Sequence, residues 1–317
     1  MPSFRHHLPQ LAGAPFLTDG GLETTLVFHE HLELPCFAAF PLVEDGAGRE
    51  ILKSYFRPYL ETAAGRGVGF VLSAPTWRAN ADWGARTGHT PDALRRINAE
   101  SITLLQELRA AYSSQTAPVV IEGVLGPRGD GYKADARMTV DEAEAYHGAQ
   151  IRDSAADMIG AFTLTYPEEA IGITRAAARN GLPVAISFTV ETNGRLPSGD
   201  SLGSAIECVD AACNGEAPAY YMINCAHPTH FDHELAAGAS WVERIRGLRA
   251  NASTMSHAEL DEATELDAGD PEDLGRRYRN LRQRMPHLCV LGGCCGTDHR
   301  HIVAICDACL PVSSYAA

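Results

Sequence analysis

The sequence predicts a single (β/α)8 barrel spanning residues 1–317, and three observations support this prediction. Short apolar runs alternate with long stretches of helical character along the whole chain, which is the pattern of a parallel sheet with helical crossovers. Eight such runs can be counted, and eight strands close a barrel. A length of 317 residues is normal for one barrel of this kind. We therefore expect one domain with its chemistry at the C-terminal ends of the strands.

The eight predicted strands are short and mostly apolar. They cover residues 15–18, 68–73, 119–124, 158–163, 184–190, 220–224, 245–250 and 288–292. The seventh is the least regular because Arg246 and Arg249 lie within it, and charged residues are unexpected in an interior parallel strand.

Local signals mark the helices between the strands. Thr90, Thr139 and Asp270 are placed as N-cap residues, with a proline or a capping-box glutamate after them. Gly181 indicates the end of a helix before the fifth strand. The acidic stretch 257–270 interrupts the alternation after the seventh strand, and it is either a solvated loop or short helix, or a lid over the barrel mouth.

The composition limits the classes of partner. The formal net charge is -14, which argues against nucleic acid and anionic membranes because both select basic surfaces. No apolar run approaches the roughly 18 residues of a membrane span, and no signal-peptide layout is present at the N-terminus. We therefore expect a cytoplasmic protein that acts on small molecules; whether it forms a homo-oligomer is left open.

Three cysteines form a candidate metal site. Cys294 and Cys295 are adjacent in a glycine-rich stretch, 291–297, after the eighth strand, and Cys225 directly follows the sixth. If both strands belong to one barrel, their C-terminal ends share a rim and the three sulfurs can converge. Three thiolates and one vacant position describe a catalytic zinc site. The alternative is a set of inert buried thiols.

The expected chemistry follows from the ligand set. Zinc bound by three thiolates is a poor generator of hydroxide but a good host for another thiol. A substrate thiol in the fourth position loses its proton at neutral pH and becomes a nucleophile for an alkyl group. Asp19, Gly20 and Gly21, after the first strand, suit the charged ends of an amino acid, because the backbone amides can approach a carboxylate and Asp19 can accept from an ammonium group. The alternative is a plain tight turn that begins with an acid.

Five motifs together resemble the homocysteine S-methyltransferase family. They are Asp19-Gly20-Gly21, Ser187-Phe188-Thr189, Gly194-Arg195-Leu196, Asn224-Cys225 and Gly292-Gly293-Cys294-Cys295-Gly296-Thr297. The resemblance implies a zinc-dependent (β/α)8 barrel in which Cys225, Cys294 and Cys295 bind Zn²⁺. It also implies that the homocysteine sulfur binds zinc and attacks the methyl group of a sulfonium or quaternary ammonium donor, giving methionine.

One position departs from the family pattern. The fourth strand of the family usually ends in a Glu-Thr pair whose glutamate helps to hold the homocysteine amino group, but Phe162-Thr163 stands here. Either Asp19 with another acid such as Glu191 replaces that glutamate, or the acceptor is a thiol without the usual α-amino group. Asn251 falls where the family has a Pro-Asn-Ser-Gly turn, and it is a further candidate site residue.

The donor is inferred from what the chain lacks. The betaine-using members have extra C-terminal sequence, so S-methylmethionine or S-adenosylmethionine is the expected donor and betaine the alternative. Trp77 and Tyr132 follow the second and third strands, where aromatic faces could contact a cation or simply pack at the rim. A different thiol acceptor, or a non-catalytic thiol-binding or metal-binding protein, remains an alternative. Cys306 and Cys309 are expected to pack in a C-terminal helix.

Overall fold

The computed structural model describes residues 2–114, 117–135, 137–213 and 215–310. Eight parallel strands close into one barrel in the order of the sequence. The strands are β1 Phe16–Leu17, β2 Gly69–Ser73, β3 Val119–Leu125, β4 Met158–Leu164, β5 Val184–Phe188, β6 Tyr220–Asn224, β7 Ile245–Ala250 and β8 Val290–Gly293. The predicted fold class is therefore confirmed.

Helices surround the barrel. The α-helices are α1 Leu22–Thr24, α2 Gly46–Arg66, α3 Ala81–Arg86, α4 Pro91–Tyr112, α5 Val140–Ile151, α6 Pro167–Arg179, α7 Leu202–Ala212, α8 Pro228–Phe231, α9 His257–Glu262, α10 Pro271–Arg284 and α11 His299–Cys309. Short 3-10 helices lie at Pro9–Ala12, Pro35–Phe37, Phe40–Glu44, Glu234–Ala237 and Ser240–Arg244, and a π-helical turn covers Thr25–His29. Within the described ranges, no helix combines the length and the apolar character needed to cross a bilayer.

All eight predicted strands are present, with shifts at several ends. β1 has only two residues, β5 ends at Phe188 and β8 begins at Val290. The irregular seventh strand is a true barrel strand, paired in parallel with β6 and β8. Its Arg249 is buried, and the guanidinium that made this strand irregular in the sequence pairs with the Asp19 carboxylate inside the protein.

The predicted helix signals are confirmed. The Thr90 side chain accepts from the Ala93 amide at the start of α4, Thr139 forms a capping box with Glu142 at α5, and Asp270 caps α10. Gly181, with φ of 63°, follows the end of α6. α11 contains Cys306 and Cys309, as expected.

Two apolar clusters hold the barrel, and their positions alternate along the strands. Phe70 and Leu72 of β2 pack in the large outer cluster with the helices, whereas Val71 between them belongs to a second cluster. Because successive strand residues point to opposite faces, the second cluster fills the barrel interior. Its members include Phe16, Val71, Val120, Met158, Tyr220, Met222 and Val290. The C-terminal ends of the strands instead carry the buried polar side chains described next.

Candidate active site

The three predicted cysteines come together where β6 and β8 end. Their Sγ atoms all lie within 4.8 Å of one another, and this is the one group of three or more His, Cys, Asp or Glu side chains in the described residues arranged to hold a metal ion. Cys225 Sγ is 3.9 Å from Cys295 Sγ. Cys225 and Cys294, whose Cα atoms are 5.4 Å apart, are joined by a disulfide, which must be reduced before both can act as metal ligands.

The backbone at Cys225 is held in an unusual conformation. Its φ is 53°, a left-handed value that costs a non-glycine residue roughly 1–3 kcal/mol and persists only where the surroundings impose it. Asn251 Nδ2 donates to the Cys225 carbonyl (3.0 Å), and His257 Nε2 lies 2.7 Å from the same oxygen. These two contacts fix the turn that directs the Cys225 thiol towards the other two.

Glycines let the second pair of thiols approach. A Cβ on Gly293 would collide with the Thr297 hydroxyl, and Gly296 adopts a φ of 77°. Side chains at either position would move the turn that carries Cys294 and Cys295. The sequence around the cysteines is therefore glycine-rich because a larger side chain would collide with Thr297 at Gly293 and strain the backbone at Gly296.

Polar groups surround the sulfurs. Asn224 Nδ2 donates to Cys294 Sγ (3.9 Å), Thr163 Oγ1 donates to Cys225 Sγ (4.0 Å), and the Tyr132 hydroxyl lies 3.7 Å from Cys295 Sγ. Burial raises the pKa of the Cys295 thiol to about 11. A thiolate at Cys295 thus needs the Tyr132 hydroxyl and a nearby cation to stabilise it.

The donor set fits zinc. Tetrahedral coordination at about 2.3 Å per sulfur separates the sulfurs by about 3.8 Å, close to the 3.9 Å between Cys225 and Cys295, whereas Cys225 and Cys294 can reach that separation only after their disulfide is reduced. Three cysteines with polar neighbours that orient them match the ligand type and outer contacts that zinc sites use.

A cavity of about 500 Å³ opens beside the sulfurs. Its apolar lining includes Phe28, Phe37, Trp77, Val124 and Phe162. Its acidic lining comprises Asp19, Glu23, Asp130, Asp261, Glu265 and Asp267, and its basic lining Arg78 and Arg249. Cys225, Cys294 and Cys295 line the same space, so a small molecule in the cavity can reach the sulfurs.

Asp19 is buried in the wall of this cavity and is fully engaged. Arg249 Nη2 donates to Asp19 Oδ1 (2.7 Å), and the Tyr55 hydroxyl donates to Asp19 Oδ2 (3.0 Å). Burial raises the pKa of Asp19, while the Arg249 charge and the Tyr55 hydroxyl partly offset that increase. The short contact between Arg249 and Asp19 identifies a buried ion pair.

Arg249 extends this pair into a network across the barrel. Its Nη1 donates to Ser73 Oγ (3.0 Å), whose hydroxyl donates to Glu122 Oε2 (2.8 Å). Glu122 Oε1 has no hydrogen-bond partner among the described residues, and burial raises the pKa of Glu122 to about 7. The Arg249 guanidinium also lies over the Phe162 ring, 5.2 Å from its centroid.

Comparison with known proteins assigns the family. The sequence matches the family model described as homocysteine S-methyltransferase over residues 16–309. The chain belongs to the homocysteine S-methyltransferase family. It is accordingly an enzyme of the homocysteine methyltransferase type.

Solved structures show a similar fold. The homocysteine methyltransferase MmuM from Escherichia coli, in its oxidized form, is 20% identical with a TM-score of 0.72, and the alignment covers 92% of this chain and 95% of that chain. The metallated form of MmuM aligns with a TM-score of 0.69, at the same identity and coverage. A search of curated proteins finds no match.

The remaining predicted residues occupy different places in this family member. Gly20, Gly21 and Thr163 line the cavity, although the Gly21 amide already donates to the Thr297 carbonyl (2.9 Å). Asn251 and Glu191 are not among the lining residues. Glu191 Oε1 instead lies 3.3 Å from His257 Nδ1.

The stretch 257–270 supplies part of the cavity wall. It begins with α9, and its Leu260, Asp261 and Leu266 are among the lining residues. His257 at its start stacks on Tyr132, with ring centroids 4.2 Å apart. The segment thus contacts the site, as both the short-helix and the lid interpretation allow.

Arg249, Tyr55 and His257 are site residues that the sequence analysis did not identify. Arg249 gave a signal, because a charged residue in an interior strand requires a buried partner, but nothing in the sequence named Asp19 as that partner. Tyr55 lies within α2 and His257 at the start of α9, where neither residue has a recognisable motif.

Proposed function

We propose that this enzyme is a zinc-dependent methyltransferase that moves a methyl group from a sulfonium donor, S-methylmethionine or S-adenosylmethionine, to the thiol of homocysteine, giving methionine. The observation that carries the proposal is the convergence of Cys225, Cys294 and Cys295 beside a cavity large enough for small molecules. Family membership supports the acceptor.

The cysteines would hold the zinc, and the chemistry it supplies is a lower pKa of the acceptor thiol, so that the thiol reacts as a thiolate at neutral pH. The acceptor proton leaves to solvent. The acceptor sulfur then forms a bond to the methyl carbon as the bond from that carbon to the sulfonium sulfur breaks, and the electron pair of the broken bond stays on the departing thioether.

The chain's own residues prepare this displacement. Asn224, Thr163 and Tyr132 place polar groups on the three cysteine sulfurs and so keep them oriented. The walls of the cavity would hold the donor beside the acceptor sulfur, and holding two reactants together is how positioning accelerates a two-substrate reaction.

The lining of the cavity supports a cationic donor. Asp19 is paired with Arg249, and burial raises the pKa of Glu23 to about 7. However, Asp130, Asp261, Glu265 and Asp267 also line the cavity against Arg78. The potential inside therefore favours a positive ligand. Phe28, Phe37 and Trp77 add aromatic surface to the same lining, which suits a sulfonium group as well as apolar substituents.

The test is detection of methionine by mass spectrometry. Reduced, zinc-loaded protein is mixed with homocysteine and, in separate reactions, with S-methylmethionine, S-adenosylmethionine and betaine. We expect methionine from a sulfonium donor and none from metal-stripped protein under the same conditions. Methionine from betaine alone would contradict the proposed donor class, and equal yield without metal would contradict the role of zinc.

A further inference from the structure

The acids that the family resemblance implies for the acceptor's α-ammonium group are not available here. Residue 162, where the resemblance implies a glutamate, is a phenylalanine. Asp19 is only 3% exposed, and both of its carboxylate oxygens already accept hydrogen bonds, from Arg249 and Tyr55. An ammonium group would have to displace one of these donors to reach Asp19.

Two further acids are not placed to replace them. Glu191 is beside His257 and does not line the cavity. Glu122 is 1% exposed, is also absent from the lining, and accepts from Ser73. Five acids besides Asp19 do line the cavity, namely Glu23, Asp130, Asp261, Glu265 and Asp267. Burial raises the pKa of the Cys295 thiol, and among these acids Glu23 is the one whose charge raises it further. Glu23 is therefore the competing candidate, and it needs a direct test.

Arg249 places a fixed cation in the wall instead. A guanidinium has five N–H donors, and four of them are used within the described residues, on Gly293 O, Ser73 Oγ, Asp19 Oδ1 and Gly20 O. One Nη1 hydrogen remains for a ligand, and Arg249 lines the cavity. An N–H group can donate to a carboxylate oxygen but cannot bond to an ammonium, so this hydrogen offers a partner to the carboxylate of a ligand only.

Phe162 adds an apolar surface to the cavity lining beside Arg249. Its ring lies under the Arg249 guanidinium and in contact with the cavity. Where a glutamate would offer a negative charge to the acceptor, the phenyl ring offers a surface suited to the methylene groups of a short alkyl chain.

We propose that the site recognises its acceptor by the thiol and the carboxylate, and that a thiol carboxylate without an amino group binds as well as homocysteine. Arg249 is the residue assigned to the carboxylate, and Phe162 the residue that removes selection for the amino group. The inference rests on the proposed function, since it describes the acceptor of that reaction.

Three thiols that share the same three-carbon chain next to the sulfur test the proposal by binding alone. Homocysteine, 4-mercaptobutyrate, which lacks the amino group, and 3-aminopropanethiol, which lacks the carboxylate, are titrated into reduced, cobalt-substituted protein, and the sulfur-to-cobalt absorption is followed. A site built to hydrogen-bond the amino group would reject the analogue lacking it by roughly 10⁴-fold. We expect 4-mercaptobutyrate to bind within about tenfold of homocysteine and 3-aminopropanethiol to bind more weakly than both.

A deficit of more than about tenfold for 4-mercaptobutyrate overturns the proposal. So does a Glu23→Gln variant that loses affinity for homocysteine while it keeps affinity for 4-mercaptobutyrate, because Glu23 would then be the ammonium partner.

The Phe162→Glu variant tests whether an added carboxylate makes the site prefer homocysteine over 4-mercaptobutyrate. Phe162→Leu is the matched control. The glutamate should shift the affinity ratio towards homocysteine by about tenfold or more, and the leucine should leave it unchanged. An unchanged ratio in a folded Phe162→Glu protein contradicts the role given to Phe162.

Failure of this proposal is distinguishable from failure of the proposed function. Binding of the thiols is read from the cobalt spectrum without any methyl donor. If both acids bind and neither is methylated by zinc-loaded protein with any donor, the methyl-transfer proposal fails while the binding ratio still decides the acceptor inference.

Discussion

The two ends of the cavity differ in how far apart in the sequence their interacting residues lie. At the sulfur end, Cys225, Cys294 and Cys295 lie in two short motifs, and their sulfurs converge in an arrangement that could hold a metal ion. At the other end, called the carboxylate end after the side chain of Asp19, Arg249 donates to Asp19 from 230 positions away in the sequence. The first arrangement can be recognised from motifs, whereas the second depends on which strands the barrel brings together.

The two ends also differ in how completely their polar and charged groups find interaction partners within the protein. The Cys225, Cys294 and Cys295 sulfurs crowd together, and once the Cys225–Cys294 disulfide is reduced we expect a metal to supply the partner that they lack. The Asp19, Arg249, Ser73 and Glu122 side chains already form a connected network. We therefore expect removal of metal to affect the sulfur end strongly, and mutation of the network to affect folding stability.

The largest expected effect is loss of metal at the sulfur end. Cys294→Ala leaves two thiols, and two sulfurs with no third ligand do not make a closed protein site for zinc. We expect reduced protein loaded with zinc and then desalted to retain about one ion per chain in the wild type and none in the variant, as measured by atomic absorption.

Cys208→Ala is the matched control, because Cys208 is an exposed free cysteine in α7. It should bind zinc as the wild type does. Stoichiometric zinc in Cys294→Ala would show that the three sulfurs are not the binding site. Methyl transfer by that variant in the absence of metal would refute the zinc mechanism altogether.

The next effect is on stability at the carboxylate end. Arg249→Met removes the partner of a buried carboxylate, and breaking a buried pair in this way typically costs about 3–5 kcal/mol. Urea denaturation should show a loss of this size in the free energy of unfolding. The double variant Asp19→Asn/Arg249→Met should be less destabilised than the two single losses combined, because no unpaired charge remains.

Arg246→Met supplies the comparison within the same strand. Arg246 contacts the His287 carbonyl at 3.5 Å, so its loss should cost no more than about 1 kcal/mol. Equal destabilisation by the two substitutions would mean that the pairing with Asp19 contributes nothing particular to the fold.

The barrel could be predicted from the sequence because its signals are local. Apolar runs, N-cap residues and a helix-ending glycine all act within a few residues, and eight repeats of the βα pattern leave one way to close the sheet. Strand ends were less certain. β1, for example, contains only Phe16 and Leu17, because its ladder with β2 and β8 is confined to those two residues.

The cysteine cluster was predictable for a related reason, since parallel strands of a barrel end on one rim. The partners of Asp19 were not. Arg249 was noticed only as an irregularity in a strand, and Tyr55 was one aromatic residue among several on a helix. Which long side chain crosses a barrel depends on strand tilt and register, and a single sequence does not encode either in a local pattern.

A smaller effect concerns pH. Burial raises the pKa of Glu122 from 4.5 to about 7, so the folded state binds a proton more tightly than the unfolded state does. The contribution of Glu122 to stability is therefore fully present below about pH 4.5 and is lost as pH rises through about 7, with a total change of at most about 3.4 kcal/mol. Glu122→Gln should remove this dependence.

The measurement is the free energy of unfolding in urea at pH 5 and pH 8. Wild type should lose more stability between these values than Glu122→Gln does. Glu50→Gln is the control, because the Glu50 side chain is 67% exposed and its neutralisation should leave the pH dependence unchanged. An identical pH dependence in Glu122→Gln and wild type would argue that Glu122 ionises normally in the folded protein.

The smallest expected effect returns to the sulfur end, where Tyr132 contacts Cys295 Sγ at 3.7 Å. Tyr132→Phe keeps the ring that stacks on His257 but removes the hydroxyl, and loss of a group that orients a metal ligand lowers affinity by about tenfold. Competition with a chelator measures this change. Tyr146→Phe, which removes a hydroxyl bonded to Asn80, should leave zinc affinity unchanged. If Tyr132→Phe also leaves it unchanged, the orientation of Cys295 is set by the glycine turn alone, and the sulfur end is held by its backbone rather than by its neighbouring side chains.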